Sequence, residues 1–174
     1  MLIRPNREEY QDYFATYVSQ VPEGDLLTIL EQQAAQTGEM FAGLTGEQID
    51  YRYAPGKWTV KEVLGHIIDT ERIMSYRLLR IARGDQTELA GFDENTYVAE
   101  GFYQERSLTD LLAEYNAVRQ STLAQLRGIA AEAWTRTGTA NGNKLSAREC
   151  KFFCVNGFLT GGQLRQRLYM EWRA

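Results

Sequence analysis

The chain has 174 residues, of which 44% are hydrophobic and 24% are charged. This composition is typical of a globular protein with one core and excludes a fibrous or disordered chain, so we expect a single domain over residues 1–174. The formal net charge of −4 argues against a nucleic-acid partner, because phosphate binding requires a concentrated basic surface.

The first quarter of the chain predicts two helices. Residues 7–19 are expected to form a short N-terminal helix with its tyrosines and phenylalanine on one side. Pro22 and Gly24 end this segment. Asp25 is a good N-cap for the first bundle helix, which we expect to run to about Ala42 and to end at Gly43.

The starts of three further bundle helices share one signal, a hydroxyl residue followed three positions later by a carboxylate. The pairs are Thr59 with Glu62, Ser107 with Asp110, and Ser146 with Glu149. We expect the second bundle helix to reach residue 82, the third to end near residue 128, and the fourth to run toward residue 172. All three prolines lie at or before position 55, so none of them interrupts these helices.

The two longer connections differ in character. Residues 84–106 are too many for a simple turn between antiparallel helices, and their aromatic and acidic content predicts a crossover that packs as a short helical lid. Residues 135–144 are turn-rich, with Asn141-Gly142 as the expected tight turn. No segment shows strand-like alternation long enough to build a sheet. The prediction is therefore an all-α four-helix bundle with a long crossover between the second and third helices.

The cysteines and the N-terminus bear on cellular location. Cys150 and Cys154 are one helical turn apart, a spacing that is awkward for a disulfide, so we expect buried thiols rather than a redox or metal pair. The N-terminus is polar, and no apolar run approaches the roughly eighteen residues of a membrane span. These observations predict a cytoplasmic protein without a membrane segment.

His66 is the only histidine, and it lies at the edge of the apolar stripe of the second bundle helix. It can be a partly buried structural residue, a weak metal ligand supported by Cys154 or a lid carboxylate, or an acid–base group. The back half of the same helix carries four arginines. We interpret this cluster, Arg72, Arg77, Arg80 and Arg83, as a solvated helix face and not as a binding patch.

Several segments together resemble the DinB-like, or YfiT-like, superfamily. They are A-P-G-K-W-T-V-K-E-V-L-G-H-I-I-D-T-E-R-I at residues 54–73, then R-G-D, G-F-D-E and A-N-G-N further along the chain. The resemblance spans nearly the whole chain and implies a four-helix bundle with an up-down-down-up course. It also implies a family of metal-dependent proteins, whose better-understood members are transferases or isomerases that use low-molecular-weight thiols. Members often pair as homodimers.

The resemblance implies three histidine metal ligands, one from the second helix and an H-x-x-x-H pair from the fourth. His66 corresponds to the first ligand, but residues 156–162, where the pair is expected, contain no histidine. His66 with Asp69 and Glu62 would make a weak site, so zinc or nickel lacks support from the ligand count and no cofactor is expected. Glycines at positions 157, 161 and 162 further weaken this helix.

Two functions remain as hypotheses. The first is a non-catalytic bundle that binds a small molecule or a partner protein. It is favoured because no other residues of the sequence can be named that would supply the missing metal ligands. The alternative is a metal-dependent thiol S-transferase, similar to bacillithiol transferases, in which His66 serves a cleft under the crossover at residues 84–106. An altered descendant of an active protein is a further interpretation.

Overall fold

The computed structural model describes residues 4–9, 15, 18–52, 54–152 and 154. The helices are α1 (Leu26–Ala42), α2 (Gly46–Ile49), α3 (Val60–Ala82), α4 (Glu94–Glu100) and α5 (Leu108–Arg127). Residues 147–152 and 154 are also helical and begin α6. Helices α1, α3, α5 and α6 correspond to the four predicted bundle helices, and the all-α four-helix bundle is confirmed. The expected course of α6 toward residue 172 lies outside the described residues. Near the N-terminus, Arg7–Glu9 forms a 3-10 helix and residues 15 and 18–20 are helical, while the rest of the predicted N-terminal helix lies outside the described residues.

Each bundle helix begins at the capping residue that its sequence predicts. The Asp25 carboxylate accepts from the third amide of its helix, and Ser107 and Ser146 do the same at 3.1 and 3.0 Å. Thr59 forms a complete capping box with Glu62, whose carboxylate accepts the Thr59 amide at 2.7 Å. These caps satisfy amides that have no partner within the helix, which is why the predicted starts are correct to the residue.

The crossover between α3 and α5 is ordered and helical, as predicted for a lid. It contains α4 and a 3-10 helix at Tyr103–Glu105, and both pack against α3. The Lys61 ammonium donates to the backbone carbonyls of Gln104 and Arg106 at 2.9 and 3.3 Å. The crossover is thus tied to the first turn of α3 and forms a wall along that helix.

The expectation that no segment forms a sheet is wrong at one place. Strands β1 (Thr137–Ala140) and β2 (Asn143–Ser146) form an antiparallel hairpin. Asn141 and Gly142 make the predicted tight turn with φ of 52° and 72°. Leu89 of the crossover bonds to this hairpin through the Thr139 carbonyl and the Asn141 amide, each at 2.9 Å. Four-residue strands are too short for alternation to show in the sequence.

A buried ion pair joins the four bundle helices. Arg119 of α5 is fully buried and donates to the Glu71 carboxylate of α3, with Nε–Oε1 and Nη2–Oε2 distances of 2.8 Å. The same guanidinium donates to the Leu30 carbonyl of α1 at 3.0 Å and to the Cys154 carbonyl of α6 at 3.3 Å. Because every partner accepts from one planar group, this network sets the distance between the helices.

The two cysteines lie in the core, as predicted. Cys150 and Cys154 are both buried and free. Burial raises the pKa of both thiols, which keeps them protonated and poorly nucleophilic.

None of the helices in the described part of the chain combines the length and apolar character that a membrane span requires.

Candidate functional site

His66 lies half-buried on α3, beside the crossover. Its imidazole packs on the Trp58 ring with the centroids 4.9 Å apart. Burial lowers the pKa of His66, while the negative charges of Glu94 and Asp69 act in the opposite direction. The net effect favours the neutral imidazole at neutral pH. Among the described residues no hydrogen bond reaches this ring, so its contacts there are aromatic and electrostatic.

Asp69, one turn after His66, is bound by the crossover. The Tyr103 hydroxyl donates to its Oδ2 atom, and Arg72 lies 3.8 Å from its Oδ1 atom. Tyr103 is buried, and burial together with the Asp69 carboxylate raises the pKa of the phenol. The phenol is therefore a neutral donor, and it engages the carboxylate that stands nearest to His66 in sequence.

Two glycines make room for the Tyr103 ring. A Cβ atom added at Gly65 of α3 or at Gly101 would overlap the ring atoms. The ring thus lies directly against the backbone of α3, one residue before His66. Gly65 sits in the interior of a helix, where glycine is normally unfavourable, and close approach of a side chain is the physical reason for it.

Glu62, the other carboxylate one turn from His66, is committed elsewhere. It closes the capping box of α3, and its two carboxylate oxygens also accept hydrogen bonds from the two terminal nitrogens of Arg52, at 2.8 and 3.0 Å. The sequence places Glu62 near His66 on the helix, but in the structure its carboxylate bonds to groups at the N-terminus of α3. It is therefore not a free ligand for a group bound at His66.

Among the described residues, the donors near His66 do not make up a three-ligand metal centre. In the ranges that the structure describes, no three side chains of His, Cys, Asp or Glu come together as a metal site. Asp69 and Glu62 each have strong partners, and Cys154 bonds to the Cys150 carbonyl within the core. Residues 156–162, where the second pair of family ligands is expected, lie outside the described residues. A catalytic zinc site requires about three protein donors.

A groove of about 310 Å³ opens between the second half of α3 and the crossover. Its lining includes Arg72, Ile73, Tyr76 and Arg77 from α3, with Phe92 and Tyr97 from the crossover. Arg77 comes eleven positions after His66 on α3, which is about three helical turns or about 16 Å. His66 and Arg77 therefore project from nearly the same face of α3, but His66 is not among the residues that line the groove.

The structure divides the arginine cluster that the sequence analysis interpreted as a solvated face. Arg72 pairs with Glu114 of α5, and Arg80 pairs with Asp85. Arg72 and Arg77 both line the groove, and Arg77 donates to the Ala90 carbonyl, so the interpretation of the cluster as a solvated face stays a prediction. No signal in the sequence distinguishes Arg77, because its surroundings come from residues 89–97 of the crossover.

The chain is similar to known proteins in sequence and in fold. It matches the family model of the DinB superfamily over residues 29–156. Among solved structures it is similar to YfiT from Bacillus subtilis, a probable metal-dependent hydrolase with an unusual four-helix bundle topology. That match has a TM-score of 0.71 and 17% identity, and it covers 84% of this chain and 92% of YfiT.

A second similar structure is a mycothiol-dependent maleylpyruvate isomerase, with a TM-score of 0.65 and 14% identity. The match covers 82% of this chain but only 60% of the isomerase. No curated protein matches the chain by sequence. At these identities the structural likenesses show the shared four-helix fold.

Proposed function

This chain belongs to the DinB superfamily, and we propose that it is a helical bundle that binds a small molecule without a three-histidine metal site. The observation that carries this proposal is the groove between α3 and the crossover. Its volume of about 310 Å³ lies at the lower end of the range for small-molecule sites, and its lining combines apolar and aromatic side chains with two cations.

The commitments of the polar residues around His66 support a non-catalytic role. Asp69 is held by Tyr103, and Glu62 is held by Arg52 and by its own helix terminus. The chain has a single histidine. A metal bound at His66 would have to break existing bonds to gain Asp69 or Glu62 as a further ligand, which lowers its affinity.

The test is a fragment screen that compares the protein with a variant in which the groove is blocked. Ala90 lines the groove and its side chain is exposed, so Ala90→Trp fills the space without entering the core. Ala113→Trp places the same side chain on the exposed face of α5 as a matched control. We expect small aromatic fragments to show saturation-transfer NMR signals with the native protein and with Ala113→Trp, and to lose them with Ala90→Trp. Fragments that bind all three proteins equally would contradict the proposal.

One observation favours a second function, a metal-dependent thiol S-transferase. His66 occupies the position of a family ligand and experiences the negative charges of Glu94 and Asp69, which would attract a divalent cation. The relatives named above include a probable metal-dependent hydrolase and a thiol-dependent isomerase. Elemental analysis of tag-free protein tests this alternative. Stoichiometric zinc or nickel that disappears in His66→Ala would favour the transferase over the binding protein.

A further inference from the structure

Among the residues that the structure describes, no carboxylate pairs with the positive charge of Arg77. Its neighbours along α3, Arg72 and Arg80, both have carboxylate partners. In the described part of the chain, Arg77 donates only to neutral acceptors, the Ala90 carbonyl at 2.8 Å and the Met74 sulfur at 3.6 Å. A guanidinium has five N–H groups, so several remain available for a further acceptor.

The position of Arg77 makes this unbalanced charge significant. The side chain is half-buried and lines the groove, and burial lowers its pKa, although an arginine remains charged at neutral pH. Removing a cation from water costs free energy unless an anion or a set of acceptors compensates it. The two neutral acceptors fix the guanidinium in place, but they leave its charge uncompensated.

Aromatic rings surround the same space. The Phe92 and Tyr97 rings contact each other with centroids 5.2 Å apart, and the Arg77 guanidinium lies 5.9 Å from the Phe92 centroid. The Tyr76 and Tyr97 side chains remain 51% and 46% exposed, and the Arg80 guanidinium lies 5.4 Å from the Tyr76 centroid. A flat apolar ligand would cover these faces and remove their area from water.

We propose that the groove binds a small aromatic carboxylate, with its ring against Phe92, Tyr76 and Tyr97 and its carboxylate on the Arg77 guanidinium. This inference rests on the proposed function and specifies its ligand class. Guanidinium and carboxylate form a charge-assisted pair whose geometry suits arginine better than lysine. Charge complementarity, rather than the apolar surface alone, determines this choice.

Isothermal titration with three matched probes tests the proposal: naphthalene-2-carboxylate, its neutral primary amide, and the cationic naphthalene-2-methylamine. We expect the carboxylate to bind the native protein at least tenfold more tightly than the amide, and the amine to bind most weakly. Arg77→Met should remove the preference for the carboxylate while the amide still binds, and Arg77→Lys should restore part of it. Thermal unfolding of each variant confirms that the bundle is intact.

The outcomes separate this inference from the proposed function. If the amide and the carboxylate bind with equal affinity, and both are lost in Ala90→Trp, the preference for an anion is overturned while the groove remains a binding site. If Arg77→Met keeps a tenfold preference for the carboxylate, Arg77 is not the anchor and the inference fails. If none of the three probes binds the native protein, the inference also fails.

Discussion

Glu149 is predicted to make the stability of this protein strongly dependent on pH. It is the third residue of α6, its side chain is fully buried, and neither carboxylate oxygen has a hydrogen-bond partner in the part of the chain that the structure describes. Burial raises the pKa of Glu149 to about 8 from its ordinary 4.5; the nearby Ser146 amide opposes this without reaching hydrogen-bond geometry, and the charge of Glu9 adds to it. The folded protein therefore keeps a proton that the unfolded chain releases.

The size and sign of the effect follow from the two pKa values. Because the folded state binds more protons between pH 4.5 and about 8, the stability contributed by protonated Glu149 is fully present below pH 4.5 and is lost as the pH rises to 8. Each pH unit in this range costs about 1.4 kcal/mol, so the whole range costs about 5 kcal/mol. That is a large share of the roughly 5–15 kcal/mol by which domains are stable.

Urea denaturation of Glu149→Gln between pH 5 and 7.5, followed by circular dichroism, measures this effect. Glutamine has nearly the same shape as glutamate and cannot ionise. A hydrogen bond that is missing in both proteins therefore changes their stability difference by an amount that does not depend on pH. We expect the stability of the variant relative to the native protein to rise by about 1.4 kcal/mol per pH unit. Glu132→Gln, at an exposed position, should show no such trend. A difference that stays flat with pH for Glu149→Gln would refute the reasoning.

Two further predictions concern packing and the buried ion pair. Gly65→Ala should destabilise the protein by about 2 kcal/mol, because the new Cβ overlaps the Tyr103 ring. Gly38→Ala is also inside a helix, but no atom lies within 4 Å of its new Cβ, so this variant should be neutral or stabilising. Similar urea midpoints for the two variants would contradict this prediction. Arg119→Met should cost about 4 kcal/mol by leaving Glu71 buried and unpaired, and adding Glu71→Leu should recover much of that loss. A double variant no more stable than Arg119→Met would show that the unpaired charge is not the cause.

The sequence alone determined the helix starts, because each depends on groups within a single turn. Thr59 and Glu62 satisfy each other's backbone amides whatever packs around them, and Ser107 caps α5 by the same local mechanism. The Asn141-Gly142 turn is equally local, since both residues tolerate the positive φ that it requires. These features could be predicted from residues that are close in sequence. The four-helix fold follows from them together with the spacing of the apolar residues.

The sequence located two parts of the candidate site, the position of His66 on α3 and a cleft under the crossover at residues 84–106. Whether the carboxylates near His66 are available depended on residues far along the chain. Tyr103 comes from the crossover to bind Asp69, and Arg52 precedes the helix to bind Glu62. A spacing of one turn shows that two residues share a helix face, but it does not show which other segment reaches them first.

Tertiary structure alone decided which charges are paired and which are not. Glu71 and Arg119 are 48 residues apart, and no pattern in the sequence around either residue predicts the pair. Arg77 looks the same as Arg72 and Arg80 in sequence, yet only the fold places it against Phe92 in a groove. The physical reason is that the energy of a charge depends on burial and on its nearest partners, which chain packing sets over distances that local sequence does not encode.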